Sequence, residues 1–270
     1  MTRTLLVLTL FACGCDKDNL CATAEVCDEV DNDLDGILPA REVDGDRDGV
    51  PPCRQALWVD TINHTLSGAS YGLTEDLTEE VIAHLEDRGV TVTWEPLDPS
   101  KPWSAKLGDV ELLVLQGDWS LGALAKTDSE ALLAWVQAGG SLLWIGQHTT
   151  ESSCDEVNAL PAVFGVTCPS ASASSWEGTT STFVSHPVTE GLGEITGLGG
   201  DVWAFVAPAE VLAEVAGAPF VAVVEHGKGR VVFVSDEWPF YDTGTNLTYD
   251  ISAADNRRLV RNIWAWMVRE

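Results

Sequence analysis

The apolar and polar residues of region 55–270 follow two periods, one typical of helices and one typical of strands. Helical spacing of apolar side chains predicts helices over 77–88, 127–138, 155–164 and 256–268. Shorter apolar runs predict strands over 56–62, 90–94, 110–116, 141–145, 202–206, 211–215, 220–224 and 230–234. The last two strands are expected to form a hairpin through 226–229. Strands that alternate with helices predict an α/β fold, with a mostly parallel sheet and helices on both faces.

The first residues have the pattern of a bacterial export signal. Arg3 supplies a positive charge, residues 4–11 form a short apolar run, and Ala12 precedes Cys13. The pattern resembles a lipoprotein signal, in which residues 1–12 are removed and Cys13 carries the lipid. Cleavage before Cys15, or an ordinary signal without lipid, is the alternative. Neither this run nor any other apolar stretch reaches the roughly 20 residues that a membrane-spanning helix needs, so a lipid would be the membrane attachment.

The seven cysteines are expected to lie in an oxidising compartment. If Cys13 carries a lipid, six cysteines remain, an even number that suits disulfide bonds. A pair between Cys154 and Cys168 would close a short loop. A pair between Cys27 and Cys53 would staple a segment with almost no core of its own. The connectivity of the first four remaining cysteines stays open.

Residues 31–42 match every fixed position of the calcium-binding loop pattern D-x-[DN]-x-[DN]-G-x5-E. Calcium needs six to eight oxygen ligands, and this spacing supplies them around the sharp turn that Gly36 permits. The expected ligands are Asp31, Asp33, Asp35, the carbonyl of Ile37, and Glu42.

A weaker second copy of the loop follows, with Asp44, Asp46 and Asp48 as its expected ligands. Its closing position is Gln55, which is neutral and a poorer ligand than glutamate. The alternative for both loops is an acidic linker in solvent. Residues 13–54 are thus expected to hold the lipid anchor, a linker and the calcium loops, and residues 55–270 a separate α/β domain.

The charge of the chain excludes one class of function. The sequence has 42 acidic and 15 basic residues, a formal net charge of −27, and region 55–270 alone holds 30 acids and 10 bases. Nucleic-acid binding requires clustered Lys and Arg, so a nucleic-acid partner is not expected. An acidic surface favours solubility and the binding of cations.

Five pieces of the chain carry a resemblance to a known superfamily: 110–115, 133–145, 186–192, 227–232 and Asn262. In this order they resemble the class I glutamine amidotransferase-like superfamily, and more narrowly its extracytoplasmic branch related to trehalose-utilisation and gliding-motility-associated domains. The resemblance covers most of 56–270 and implies a flavodoxin- or amidotransferase-like fold. The acidic loops resemble a metal-binding repeat of secreted proteins from predatory and fruiting bacteria, where a cysteine often stands in place of Leu34.

The resemblance also implies where a nucleophile would lie. Catalytic amidotransferases carry a cysteine at the turn after a buried strand, activated by a His-Glu or His-Asp pair from later in the chain. The corresponding turn, after 141–145, reads Gly146-Gln147-His148 and has neither cysteine nor serine. Glutaminase activity is therefore not expected, and Cys154 is better explained as the partner of Cys168.

Polar side chains at the predicted strand ends form a weak candidate site: Asp60, His64, His148, Asp236 and Glu237. Ligands of open parallel sheets bind beyond the carboxyl ends of the strands, where these residues could bind a metal or transfer protons. The alternative is that they cap backbone groups. His186 is expected to form a turn with Pro187, and His84 to lie on a helix surface.

Trp119, Trp176 and Trp238 lie in predicted loops, where tryptophan can stack on sugar rings or simply pack. Together these features predict an exported, lipid-anchored envelope protein that binds calcium and acts as a ligand-binding or scaffolding module, with a glycan or an envelope protein as ligand. The alternative is an extracytoplasmic hydrolase that acts on a sugar or cell-wall substrate.

Overall fold

A computed structural model describes residues 54–60, 73–96, 101–116, 126–146, 162–167, 176–199, 203–243 and 249–269. The chain divides into two units, Met1–Cys53 and Arg54–Glu270, and every described residue belongs to the second. The export signal, Cys13, the first calcium loop, the three aspartates of the second loop and all four cysteines of the expected disulfides lie outside the described residues. Gln55, the closing position of the second loop, is described and lies in a β-strand.

Fifteen strands and α-helices lie wholly within the described residues, besides three short 3-10 helices. In chain order they are β1 (Arg54–Asp60), α1 (Glu79–Glu86), β2 (Val90–Pro96), α2 (Trp103–Lys106), β3 (Leu112–Gln116), α3 (Lys126–Ala138), β4 (Ser141–Ile145), β5 (Val166–Thr167), β6 (Trp176–Thr180), β7 (Ile195–Gly199), β8 (Ala204–Phe205), β9 (Glu210–Val215), β10 (Ala218–His226), β11 (Gly229–Val234) and α4 (Asn256–Val268). None of these helices is long and apolar enough to cross a membrane.

The central sheet has seven strands in the order β2-β1-β3-β4-β11-β10-β9. The first five strands of this order run parallel, and β10 pairs antiparallel with both β11 and β9. β5 pairs with β8, and β6 pairs with β7 in a two-stranded ribbon. The prediction of a mostly parallel α/β sheet is confirmed.

Side chains that alternate along the strands build two hydrophobic layers. Trp58 and Val114 face the layer that α1 and α4 cover, whereas Val59 and Leu115 face the layer that α2 and α3 cover. Strands buried on both faces read as continuous apolar runs, which is why β3 and β4 have no polar alternation. The prediction of helices on both faces is therefore confirmed.

The predicted hairpin joins β10 and β11 through a turn that packs on the end of α3. His226 pairs with Gly229 in the antiparallel register, and Gly227 has a φ of +64°. A Cβ atom at Gly227 would lie 2.6 Å from the carbonyl oxygen of Gln137, and one at Gly229 would lie 2.0 Å from that of Val136. Both positions thus need glycine, because a side chain would displace α3.

Candidate functional site

The parallel register aligns the ends of four strands along one edge of the sheet, which we call the carboxyl edge. Asp60 pairs with Gln116, Gln116 with Ile145, and Ile145 with Val234. Because the residues after these strands leave from the same edge, Asp60 and the segment that begins at Asp236 both lie at the carboxyl edge. His64 and His148, along with Trp119, lie outside the described residues.

Asp236, two residues after β11, is a fully buried carboxylate held by backbone N–H groups. Its Oδ2 accepts from the Leu198 N–H at 2.8 Å, and its Oδ1 accepts from the Trp238 N–H at 3.2 Å. Burial raises the pKa of Asp236 from 3.8 to about 8, and the N–H donors of Leu198, Trp238 and Glu237 only partly oppose this shift. The side chain ties the ribbon strand β7 to the end of β11.

Glu237 follows directly and is also buried, with 3 % of its surface exposed. Its backbone carbonyl accepts from the Phe240 N–H at 2.9 Å, which closes the 3-10 turn Trp238–Phe240. The sequence predicts the strand-end position of Asp236 and Glu237, but it does not predict their burial. Two buried carboxyl groups in succession are costly unless their polar atoms find partners.

Gln116 is a buried polar residue at the same edge, and it is absent from the candidate residues that the sequence indicates. Its Nε2 donates to the Leu73 carbonyl at 2.9 Å, and its Oε1 accepts from the Trp58 Nε1 at 3.3 Å. The feature of the sequence that could have indicated Gln116 is its position, as a polar residue directly after the apolar residues of β3. Gln116 fixes the segment before α1 and orients the Trp58 ring, which stacks on Trp94 at 4.8 Å.

The turn after β4, where the amidotransferase resemblance would place a nucleophile, begins in close contact with the end of β11. The Gly146 N–H donates to the Val234 carbonyl at 2.7 Å. A Cβ atom at Gly146 would lie 2.8 Å from the carbonyl oxygen of Ser235. The Ser235 hydroxyl donates to the Pro219 carbonyl at 2.9 Å, so it serves the backbone of β10.

Three aromatic rings and a carboxylate meet beside the end of β11, and they form what we call the aromatic corner: Trp238, Tyr241, Tyr249 and Glu177. The Trp238 ring lies 6.4 Å from Tyr241 at 76° and 6.0 Å from Tyr249 at 63°. The Tyr249 hydroxyl donates to the Glu177 Oε2 at 3.2 Å. Tyr241 is buried, Trp238 and Tyr249 are half-buried, and Glu177 is exposed.

The ribbon β6–β7 was not predicted from the sequence, and side chains from distant segments hold it. The Asn256 Oδ1 accepts from the Thr196 N–H at 3.1 Å, while its Nδ2 donates to the carbonyls of Tyr249 and Asp250, both at 3.1 Å. Asp255 Oδ2 accepts from the Gly193 N–H at 2.6 Å. The first residues of α4 therefore position both the ribbon and the Tyr249 ring of the aromatic corner.

Two of the segments that carry the superfamily resemblance, 186–192 and Asn262, contact each other. The Asn262 Nδ2 donates to the carbonyls of Val188 at 3.1 Å and Glu190 at 2.9 Å. His186 accepts from the Val188 N–H through Nδ1 at 3.2 Å and caps the 3-10 turn Pro187–Thr189. The predicted turn of His186 with Pro187 is confirmed. The segment that follows His186 is held on α4 by the Asn262 side chain, which is a structural role.

The prediction that His84 is a surface group is wrong. His84 is 7 % exposed, and its Nε2 accepts from the Arg261 Nε at 3.3 Å, because α4 packs over α1. Burial lowers the pKa of His84, and the neighbouring Arg261 lowers it further. Within the described residues, no three His, Cys, Asp or Glu side chains gather as metal ligands.

No family model matches the sequence, and no curated protein matches it. Solved structures do match. The mmIFT52 N-terminal domain aligns with a TM-score of 0.59 at 14% identity, covering 78% of this chain and 96% of that domain. The cytoplasmic protein STM3548 from Salmonella typhimurium aligns with a TM-score of 0.56 at 17% identity, covering 79% and 98% of the two chains.

A ThuA-like protein from Parabacteroides merdae also aligns, with a TM-score of 0.50 at 12% identity, covering 80% of this chain and 90% of that one. Identities this low show the fold alone. ThuA-like proteins have a class I glutamine amidotransferase-like fold. The described α/β unit accordingly has a flavodoxin- or amidotransferase-like fold, with a mostly parallel central sheet.

Proposed function

We propose that this chain is an exported, lipid-anchored protein of the bacterial envelope whose α/β domain binds a ligand at its carboxyl edge without catalysing a reaction. The observation that carries the proposal is Asp236. Both of its carboxylate oxygens accept backbone N–H groups, and the side chain is fully buried. A general acid or base must reach the substrate, and a carboxylate occupied in this way serves the fold.

The surface beside Asp236 supports ligand binding. Trp238 follows it by two residues and contacts Tyr249, and both residues are half-buried, so each keeps part of its surface for a ligand. Aromatic rings with one polar handle are common in binding sites because they offer a large contact area at low entropy cost. A glycan or an envelope protein is the expected partner, and the net charge of −27 disfavours anionic ligands.

The ligand-binding role is tested with the full chain and isolated envelope material. Purified peptidoglycan sacculi and envelope membranes are incubated with the wild-type protein and the Trp238→Leu variant, and the retained protein is measured after sedimentation. We expect retention of the wild type and a severalfold loss with the variant. The matched control is Trp94→Leu, which changes another half-buried tryptophan, on β2. Equal retention of all three proteins would contradict the proposal.

The lipid anchor and the calcium segment are tested separately. Cys13→Ser is expected to move the protein from the membrane fraction to the soluble periplasmic or secreted fraction. In a calorimetric titration, the wild type is expected to bind one or two calcium ions, and the Asp31→Ala, Asp33→Ala double variant to lose the tighter one. Calcium neutralises the repulsion between the loop aspartates, so it would order the segment that joins the anchor to the domain.

One observation favours the alternative of an extracytoplasmic hydrolase. The raised pKa of Asp236, about 8, keeps the carboxyl group protonated at neutral pH, as a general acid requires. If His64 or His148 approached it, the pair could cleave a sugar or cell-wall substrate. Release of soluble fragments from sacculi by the wild type, abolished by Asp236→Asn, would favour this alternative over the binding role.

A further inference from the structure

The aromatic corner has the geometry of a site for a compact cation. Trp238 makes wide angles with its two tyrosine neighbours, 76° with Tyr241 and 63° with Tyr249, at centroid distances of 6.4 and 6.0 Å. Tyr241 is buried and packs against Trp238 from within, whereas Trp238 and Tyr249 are both half-buried neighbours, so that a ligand at the surface can contact two rings. The negative face of an indole or phenol ring attracts a cation within about 6 Å.

A carboxylate holds one wall of the corner in place. The Glu177 Oε2 accepts the Tyr249 hydroxyl at 3.2 Å, and this bond fixes the ring that stands beside Trp238. Glu177 is exposed, and it leaves a negative charge at the rim. A ring wall and a carboxylate at the rim together favour a ligand that carries a positive charge on an apolar body.

The partners of Trp238 and Tyr249 make the corner a built feature. The Trp238 N–H donates to Asp236 at 3.2 Å, and the Tyr249 carbonyl accepts from the buried amide of Asn256 at 3.1 Å. The backbone of each ring is thus anchored by a fully buried side chain. Sites that are held in place before the ligand arrives lose less entropy on binding.

We propose that the aromatic corner binds a substituted ammonium group of a small organic cation, an inference that rests on the proposed ligand-binding role and names the ligand class. The field of the chain supports it, because 42 acidic residues against 15 basic ones attract cations and repel anions. A neutral ligand would gain no charge–charge attraction from this field or from Glu177.

The test compares two ligands of the same shape in calorimetric titrations of the full chain. Choline carries a quaternary ammonium group, and 3,3-dimethyl-1-butanol replaces its nitrogen with carbon. We expect choline to bind with a Kd in the millimolar range and the neutral analogue to bind at least about tenfold more weakly, the ratio that corresponds to a single strong cation–π contact.

Variants then locate the bound cation. Trp238→Leu keeps an apolar side chain without a ring and is expected to weaken choline binding about tenfold. Glu177→Gln removes the rim charge and is expected to weaken it about threefold, with a steeper loss at low ionic strength. The matched controls are Trp94→Leu and Glu214→Gln, a half-buried tryptophan and an exposed glutamate elsewhere in the domain, and both are expected to bind choline like the wild type.

Three results would overturn the cation site. The first is no choline binding at 50 mM, which is about ten times the expected Kd, and the second is equal affinity for the neutral analogue. The third is unchanged choline binding by Trp238→Leu, provided that this variant unfolds like the wild type. The proposed function fails in a different way. Envelope retention that depends on Trp238, without choline binding, would sustain the ligand-binding role and remove the cation. Choline binding without envelope retention would sustain the cation site and remove the envelope partner.

Discussion

The two edges of the sheet hold acidic and basic side chains on opposite backbone groups. At the carboxyl edge, the carboxyl group of Asp236 accepts the N–H groups of Leu198 and Trp238. At the opposite edge, the guanidinium of Arg230 donates to the Trp266 carbonyl, and that of Arg269 donates to the Gly139 carbonyl at 2.8 Å.

Backbone direction explains this sorting where the partners are groups at helix ends. Helices that connect parallel strands begin near the carboxyl edge and end near the opposite edge, so their unpaired N–H groups lie at one edge and their unpaired carbonyls at the other. Asp242 illustrates the first case, because its Oδ1 accepts from the Glu80 N–H at 2.9 Å in the first turn of α1. Arg230 illustrates the second, at the last turn of α4. Asp242 and Arg230 thus each lie where the end of a helix offers a dipole that complements the side chain.

The largest expected effect concerns the pH dependence that Asp236 imposes. Its pKa is about 8 in the folded protein, so the folded state keeps a proton that the unfolded state releases above about pH 4. The contribution of Asp236 to the free energy of unfolding is therefore complete below about pH 4. It is lost as the pH rises to about 8, by up to about 1.4 kcal/mol per pH unit. Asp236→Asn is expected to lack this decline.

The measurement is urea unfolding of the wild type and Asp236→Asn between pH 5 and pH 9. The free-energy difference should change in favour of the variant as the pH rises and become constant above about pH 8. Parallel profiles would mean that Asp236 is ionised throughout, and that the N–H donors outweigh burial at the carboxyl edge.

The next largest effect is expected at Asn256. Asn256→Ala removes an acceptor for the Thr196 N–H and donors for two carbonyls, and it leaves these buried groups without their partner. We expect a loss of about 3 kcal/mol in the free energy of unfolding. Asn262→Ala, at a half-buried position on the same helix, should cost about 1 kcal/mol. Equal losses would show that burial does not distinguish the two amides.

Arg230 tests the opposite edge. Its guanidinium lies 5.0 Å from the centroid of the Trp266 ring and donates to the carbonyl of the same residue. Arg230→Met keeps an unbranched apolar stem and removes the charged guanidinium, so we expect a loss of about 1 to 2 kcal/mol in chemical unfolding. Arg269→Met, at an exposed position, is the control, with an expected loss below about 1 kcal/mol. A larger loss for Arg269→Met than for Arg230→Met would contradict the larger stabilising role given to Arg230.

The smallest effect is expected where two side chains pair without a backbone group. The Arg257 Nε donates to the Glu80 Oε1 at 2.5 Å, and both side chains are partly exposed. Glu80→Gln should cost less than about 1 kcal/mol, and the cost should shrink further in 0.5 M salt. A salt-independent loss of about 3 kcal/mol would contradict the view that backbone partners, rather than ion pairs, hold the charges of this domain.

Elements with a continuous or strongly periodic apolar pattern could be predicted from the sequence. The strand over 141–145 and the helix over 256–268 have the predicted bounds, because local burial and glycine or polar boundaries determine both. The predicted strand over 202–206 shrinks to Ala204–Phe205. The ribbon β6–β7 has no such pattern in its sequence. Its partners are Asp236 and Asn256, which lie 38 and 60 residues away from the groups that they bind.

The candidate site could be predicted only in part for the same reason. Asp236 and Glu237 were identified because strand ends are visible in the sequence. Their burial was not predicted, because it depends on the ribbon that covers them. The burial of His84 was also missed, since its neighbour Arg261 belongs to a helix 177 residues later. Contacts between distant segments decide whether a polar residue serves the fold or faces a ligand.

The position of α4 in the fold has a consequence for how the chain folds. Its side chains Leu259, Ile263 and Trp264 complete the layer that also buries β1, and its first turn holds the ribbon. These contacts span large sequence separations, so we expect them to slow the folding of the domain. A chain truncated before residue 256 would expose one face of the central sheet, and we expect such a fragment to aggregate during synthesis.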